Sequence, residues 1–141
     1  MKVRVKMVRI TTEQFAILTE TPVLGEYGVT LTVTPKHAAA QKQIGMLADF
    51  TFKEGDTRFI VLSVFCEFAI LPEDWEACVE DGMVTIPKDS MTYFLVQTVG
   101  TARGILHCKT EGTLMNNILL PSFDVSNIFQ EDYKFMMEKQ E

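Results

Sequence analysis

The sequence predicts an α+β fold: a four-stranded antiparallel sheet with a long and a short C-terminal helix on one face. Three observations carry this. Residues 1–71 alternate apolar and polar side chains in runs broken by turn residues, which is the pattern of strands. From Pro87 to Thr110 the apolar residues recur at helical spacing with no interrupting proline. The two patterns are segregated along the chain rather than interleaved, as in α+β domains with separate layers. At 141 residues the chain reads as a single domain, residues 1–141, large enough to bury its own core.

In the first strand, over residues 1–18, Val3, Val5 and Met7 face one way and Lys2, Arg4 and Lys6 the other. The alternation changes phase near Arg9-Ile10, which predicts a bulge or bend. Thr19 to Gly28 is a loop punctuated by Pro22, Gly25 and Gly28, with Leu24 and Tyr27 as its apolar members. Val29, Leu31 and Val33 alternate with threonines in a second strand, and residues 35–43 form a small-residue connection. The third strand, residues 44–53, puts Met46, Ala48, Phe50 and Phe52 on one face, and Glu54-Gly55-Asp56 turns the chain back. The four strands in this order predict a meander.

The fourth strand, residues 57–71, is apolar on both faces. Ile60, Leu62, Val64, Cys66, Phe68 and Ile70 line one; Phe59, Val61 and Phe65 stand on the other among Ser63 and Glu67. Helices on a single side cannot cover both faces. Either a second subunit covers Phe59, Val61 and Phe65, or that face handles apolar ligands.

Residues 72–80 form a turn or two of helix around Trp75, with Glu73-Asp74 complementing the dipole at its start. Val84 and Ile86 lead into the long helix, which Pro87-Lys88-Asp89-Ser90 opens and Glu111-Gly112-Thr113 closes. Gly100 and Gly104, four apart within it, permit close approach of another helix or strand. An apolar loop, residues 114–121, precedes a short helix from Asp124 or Ser126 that carries Val125, Ile128, Phe129, Tyr133 and Met136-Met137. Residues 138–141 are expected to fray.

The chemistry of sites is sparse. His107 and Cys108 are adjacent, so on a helix they point about 100° apart and do not form a nucleophile–base pair. His37 has no partner in sequence, and the three cysteines, Cys66, Cys78 and Cys108, lack metal-ligand spacing and read as free thiols. Neither a phosphate-binding glycine loop nor a nucleophile elbow occurs, so no enzyme, cofactor or metal is expected. The formal charge of −6 disfavours nucleic acid and anionic membranes as partners. No apolar run of spanning length occurs, and the first residues alternate charge with valine rather than forming a signal-peptide centre, so a cytoplasmic location is expected.

The order of elements resembles the SecB family of export chaperones. The likeness is carried by Ala102-Arg103 midway along the long helix, by Glu111-Gly112-Thr113 at its end, and by Asn117-Ile118-Leu119-Leu120-Pro121 in the loop. Ser122-Phe123-Asp124-Val125 with Ile128-Phe129, and Val8-Arg9-Ile10-Thr11-Thr12 on the first strand, add to it. The chain departs from the family where Val99-Gly100-Thr101 precedes and Gly104 follows the Ala-Arg pair. The resemblance implies a homotetramer, a dimer of dimers, acting as an ATP-independent holdase for unfolded polypeptides or preproteins. It implies client grooves between the loop after strand one and the loop after the long helix. Here those supply Leu24, Tyr27, Leu114, Met115, Ile118 and Leu119, with Phe129 and Tyr133 as floor, though each of these also fits ordinary core. Family members deliver clients to the SecA translocation motor through acidic strand positions. Glu13 stands near one of them, but Lys2, Arg4 and Lys6 make this strand basic, which speaks against that delivery. A SecB-fold module serving one dedicated partner, for instance beside a toxin–antitoxin pair, is the alternative, followed by a non-catalytic binder of small ligands.

Overall fold

A computed structural model describes residues 2–137; the expected fraying of residues 138–141 lies outside them. Strands β1 (Val5–Ile17), β2 (Gly28–Ala38), β3 (Gln43–Glu54) and β4 (Thr57–Ile70) form one antiparallel sheet. Helix α1 (Pro72–Ala77), a hairpin of β5 (Val79–Glu80) and β6 (Met83–Ile86), helix α2 (Lys88–Thr110) and strand β7 (Tyr133–Met136) follow. The α+β class, the four-stranded sheet and the long helix are as the sequence predicts. Two features differ.

The sheet order is β1-β4-β3-β2, so β2, β3 and β4 form the meander and β1 lies beside β4 at the far edge. The β1–β2 loop must therefore cross the end of the sheet where the β3–β4 turn lies. Gly55 sits in that turn at φ +62°, a conformation that glycine adopts without steric cost. The β1–β4 ladder slips between Met7 and Arg9, where the sequence changes phase, and again between Thr12 and Gln14.

No helix forms after α2 among the described residues. Val125, Ile128, Phe129 and Tyr133 do stand at helical spacing, but Tyr133–Met136 also alternates. Antiparallel pairing with β6, Val84 to Phe135 and Ile86 to Tyr133, takes this segment as a strand. Phe135 is thereby buried against Trp75, with ring centroids 5.9 Å apart, and stacked on His37 at 3.9 Å. The β5–β6 hairpin turns at Asp81-Gly82, both at positive φ, as a two-residue hairpin loop requires.

One core lies between the inner sheet face and α2. Ile44, Met46, Ala48, Phe50 and Phe52 of β3 and Ile60, Leu62, Val64, Cys66, Phe68 and Ile70 of β4 pack in one cluster with Met91, Phe94, Leu95, Val99, Ala102 and Leu106. Phe68 and Phe94 stack at 4.8 Å. Asp74, in the first turn of α1, receives bonds from the Arg4 backbone N–H (2.7 Å) and guanidinium (3.0 Å), which ties α1 to the start of β1.

Candidate functional site

The β1–β2 loop is fastened at three points as it crosses the end of the sheet. Leu18 N–H donates to Phe59 O at 2.8 Å, and Gly25 N–H donates to the Glu54 carboxylate at 3.0 Å. The Tyr27 ring rests edge-on against Phe59 at 5.7 Å and tilted against Phe52 at 6.4 Å. Its hydroxyl donates to Leu119 O at 3.4 Å, which joins the loop to the segment after α2. Leu24, on the same loop, is 92% exposed.

The segment after α2 is built on satisfied helix-end carbonyls. The Thr113 N–H and hydroxyl both donate to Thr110 O, and the Asn116 amide donates to His107 O at 3.2 Å. Gly112, at φ +76°, makes the turn. The chain then runs Leu119-Leu120-Pro121, where the Arg103 guanidinium donates to Leu120 O and Pro121 O, each at 3.1 Å. Farther on, the Phe123 ring lies 6.0 Å from that of Phe50, partly buried against the core.

Of the expected groove residues, the structure brings Tyr27 and Leu119 into contact at one end of the sheet and leaves Leu24, Leu114 and Leu119 exposed. Met115 and Ile118 are corrections: both are buried in the core and offer no surface. Phe129 is partly buried against that core. Tyr133 is also a correction. It lies on β7 and hydrogen-bonds His37 at 2.8 Å, while Tyr27 immediately precedes the other end of β2. Eleven residues of strand put these ends about 35 Å apart. Burial raises the Tyr133 hydroxyl pKa above its ordinary value.

The second face of β4 also departs from expectation. The β3–β4 register shifts beside Phe52, so Phe59 turns inward, is buried against Phe52 and Tyr27, and presents nothing to a second chain. Val61 is buried within the subunit. Phe65 is half-buried beside Gly45, with Lys36 Nζ 5.6 Å from its ring centre. Gly100 and Gly104 lie on the outer side of α2 with no atom within 4 Å of where their Cβ atoms would stand. Tyr93 and Val96 extend that exposed stripe at helical spacing. Val8 and Ile10 of β1, an edge strand, are exposed as well. Ile10 pairs with the buried Cys66 of β4.

Sequence reasoning missed Arg103 as a fastening residue, and it missed Tyr93 and Val96. The second omission was recoverable: 93, 96, 100 and 104 are one helix face, distinct from Met91, Leu95 and Ala102. Among the described residues no group of three or more His, Cys, Asp or Glu side chains is placed to hold a metal ion. His107 pairs with Glu111 at 3.7 Å, and Cys108 is exposed. Burial, the larger effect, pushes the Cys66 and Cys78 thiols above their ordinary pKa values. No helix among the described residues is long and apolar enough to cross a membrane.

No protein-family model matches the chain, and no curated protein matches it in sequence. Among solved structures, the SecB-like chaperone of Mycobacterium tuberculosis in complex with a ChAD peptide from an antitoxin matches with a TM-score of 0.50 at 12% identity. That match covers 87% of this chain and 89% of that one. A Streptococcus agalactiae protein of unknown function matches with a TM-score of 0.41 at 13% identity, over 86% of this chain and 100% of that one. At 12% identity the first likeness speaks to architecture alone, and what it shows is a SecB-like α+β fold.

Proposed function

We propose that this protein is an ATP-independent polypeptide-binding chaperone that holds extended apolar segments against the surface formed by Leu24, Tyr27 and Leu119. The observation that carries the reading is the junction of two loops, one before β2 and one after α2, through the Tyr27–Leu119 hydrogen bond, with leucines exposed on both. Exposed leucine on a fastened loop is a ready apolar contact. Burying it contributes about 25 cal/mol per Å² with little sequence preference. A long client engaging several such patches gains through effective concentration.

The solved neighbour, a SecB-like chaperone holding an antitoxin peptide, supports a polypeptide as the ligand class. We leave delivery to an export motor out of this reading, because the exposed start of β1 is basic where acidic contacts would be needed. The reading makes the protein a binder rather than an enzyme and needs no cofactor. The absence of a membrane-crossing helix among the described residues is compatible with work in the cytoplasm. We also propose a homotetramer, a dimer of dimers. Two features support a second copy: the open Gly100–Gly104 stripe of α2 and the free edge of β1 with Val8 and Ile10 exposed.

The test is aggregation of a chemically unfolded, unrelated protein at rising ratios of this chain without ATP, followed by light scattering together with size determination. Suppression near stoichiometric amounts by a tetramer is the expected result. A tetramer that leaves scattering unchanged would remove the general holdase and leave the dedicated-partner form.

A further inference from the structure

Three consecutive carbonyls in the segment after α2 are each taken by a side chain from elsewhere. Tyr27 Oη donates to Leu119 O at 3.4 Å, Arg103 Nε to Leu120 O at 3.1 Å, and Arg103 Nη2 to Pro121 O at 3.1 Å. Among the described residues, 119–121 make no backbone–backbone hydrogen bond. Burial alternates along the stretch: Ile118 is 1% exposed, Leu119 55% and Leu120 3%. An extended chain sends successive side chains to opposite sides, so fixing one peptide unit fixes which leucine faces outward.

Hydrophobicity does not choose between Leu119 and Leu120, because the two side chains are identical and gain the same from burial. The choice falls to directional bonds. Arg103 suits this role because Nε and Nη2 are rigidly spaced donors on one edge of a planar group that carries its charge at all working pH. A lysine is a point donor and does not hold two carbonyls in register. The helix around Arg103 is firmly seated, with Ala102 and Leu106 buried.

We infer that Arg103 is the positioning residue of the client surface: its guanidinium fixes the register of residues 118–121, so that Leu119 is offered to bound polypeptide and Leu120 is buried. The inference rests on the reading of the Tyr27–Leu119 surface as a polypeptide site.

The test uses the full chain and a fluorescein-labelled extended peptide of alternating leucine and serine, with hydrogen exchange of the Ile118 amide, which is bonded to Met115 O, measured in parallel. Arg103→Met is expected to weaken peptide binding about tenfold and to speed exchange of the Ile118 amide while the middle of α2 stays protected. Arg103→Lys, which keeps the stem and the charge, is expected to behave like Arg103→Met and guards against a variant that fails to fold. Leu119→Ser is expected to weaken binding about tenfold in the wild-type background and less than about twofold in the Arg103→Met background. An undiminished Leu119→Ser effect in that background, or unchanged exchange of the Ile118 amide, overturns the inference and leaves the client surface standing. Failure of the wild-type chain to bind the peptide overturns the client surface and the inference together.

Discussion

The Phe65 ring fills the place where a side chain at Gly45 would stand: a Cβ built on Gly45 would collide with Phe65 Cζ. The two residues stand on neighbouring strands, and Lys36 Nζ lies 5.6 Å from the centre of the same ring. The aromatic ring thus closes a gap that glycine leaves in the outer face of the sheet, as aromatic neighbours of strand glycines do. Gly45→Ala is therefore expected to destabilise by about 1–3 kcal/mol through overpacking. It should be read as a lower urea midpoint with unchanged slope. Gly28→Ala is the control, since nothing lies within 4 Å of its added Cβ, and its midpoint should barely move.

The residues expected from sequence to touch clients divide into surface and core, and the division is measurable. Leu24→Ser and Leu119→Ser remove exposed side chains, so each should weaken binding of an unfolded polypeptide while leaving thermal stability unchanged. Met115→Ala and Ile118→Ala remove buried ones and should each cost about 2–5 kcal/mol of stability. Paired melting curves and binding isotherms separate the two classes.

Acid stability should depend on the tie between β1 and α1. The Arg4 side-chain hydrogen bond, and then its backbone N–H, hold the Asp74 carboxyl below its usual pKa. A carboxyl depressed in the folded state binds fewer protons there than in the unfolded chain. Its stabilisation is present at neutral pH and is lost as pH falls through the unfolded value of about 3.9 toward the folded one. Wild type should exceed Asp74→Asn in urea midpoint at pH 7, and the gap should close below about pH 4. A gap that stays constant down to pH 2 would show that Asp74 acts through packing rather than charge.

Assembly should be separable from folding at the helix stripe. At Gly100 and Gly104 an added Cβ meets nothing within 4 Å from the rest of the subunit, so Gly100→Leu and Gly104→Leu start into open space and replace a poor helix former with a good one. Each should hold or raise the subunit's helicity. If the tetramer packs through this stripe, either change should split it into smaller species by light scattering. Preserved assembly in both variants would move the interface elsewhere.

Much of the fold is legible in the residues. The phase change near Arg9 marks a bulge, the Val/Thr alternation marks β2, and the spacing of Met91, Leu95, Ala102 and Leu106 marks the buried face of α2. The misreadings have physical causes. A single register shift beside Phe52 moves Phe59 from one face of β4 to the other, and the alternation of side chains does not reveal where such a shift will fall. Tyr133–Met136 is too short for periodicity to decide, and its partner strand β6 decides instead. Asp81-Gly82 between Val79 and Met83 was itself a hairpin signal for β5 and β6. In the candidate site, apolar composition picks out 114–120 as a group. Only the carbonyl partners Tyr27 and Arg103, far away in sequence, determine that Leu119 faces out and Leu120 faces in.

Helix α2 opens without a cap of its own: no side chain of Pro87 serves it, and Lys88 N–H is answered by the Asp132 carboxylate, 44 residues later, at 2.9 Å. The same late segment supplies β7 and the Phe135 ring beside Trp75. On the ribosome, which releases the chain in order, the long helix emerges well before the group that caps it. The Trp75 end of the core stays unroofed for the same interval. Tyr27, Leu24 and Leu119 are by then already outside the exit tunnel, on a frame that has not closed. A protein read as a keeper of unfolded chains therefore passes through a stage of its own synthesis in which it is itself a chain in need of keeping.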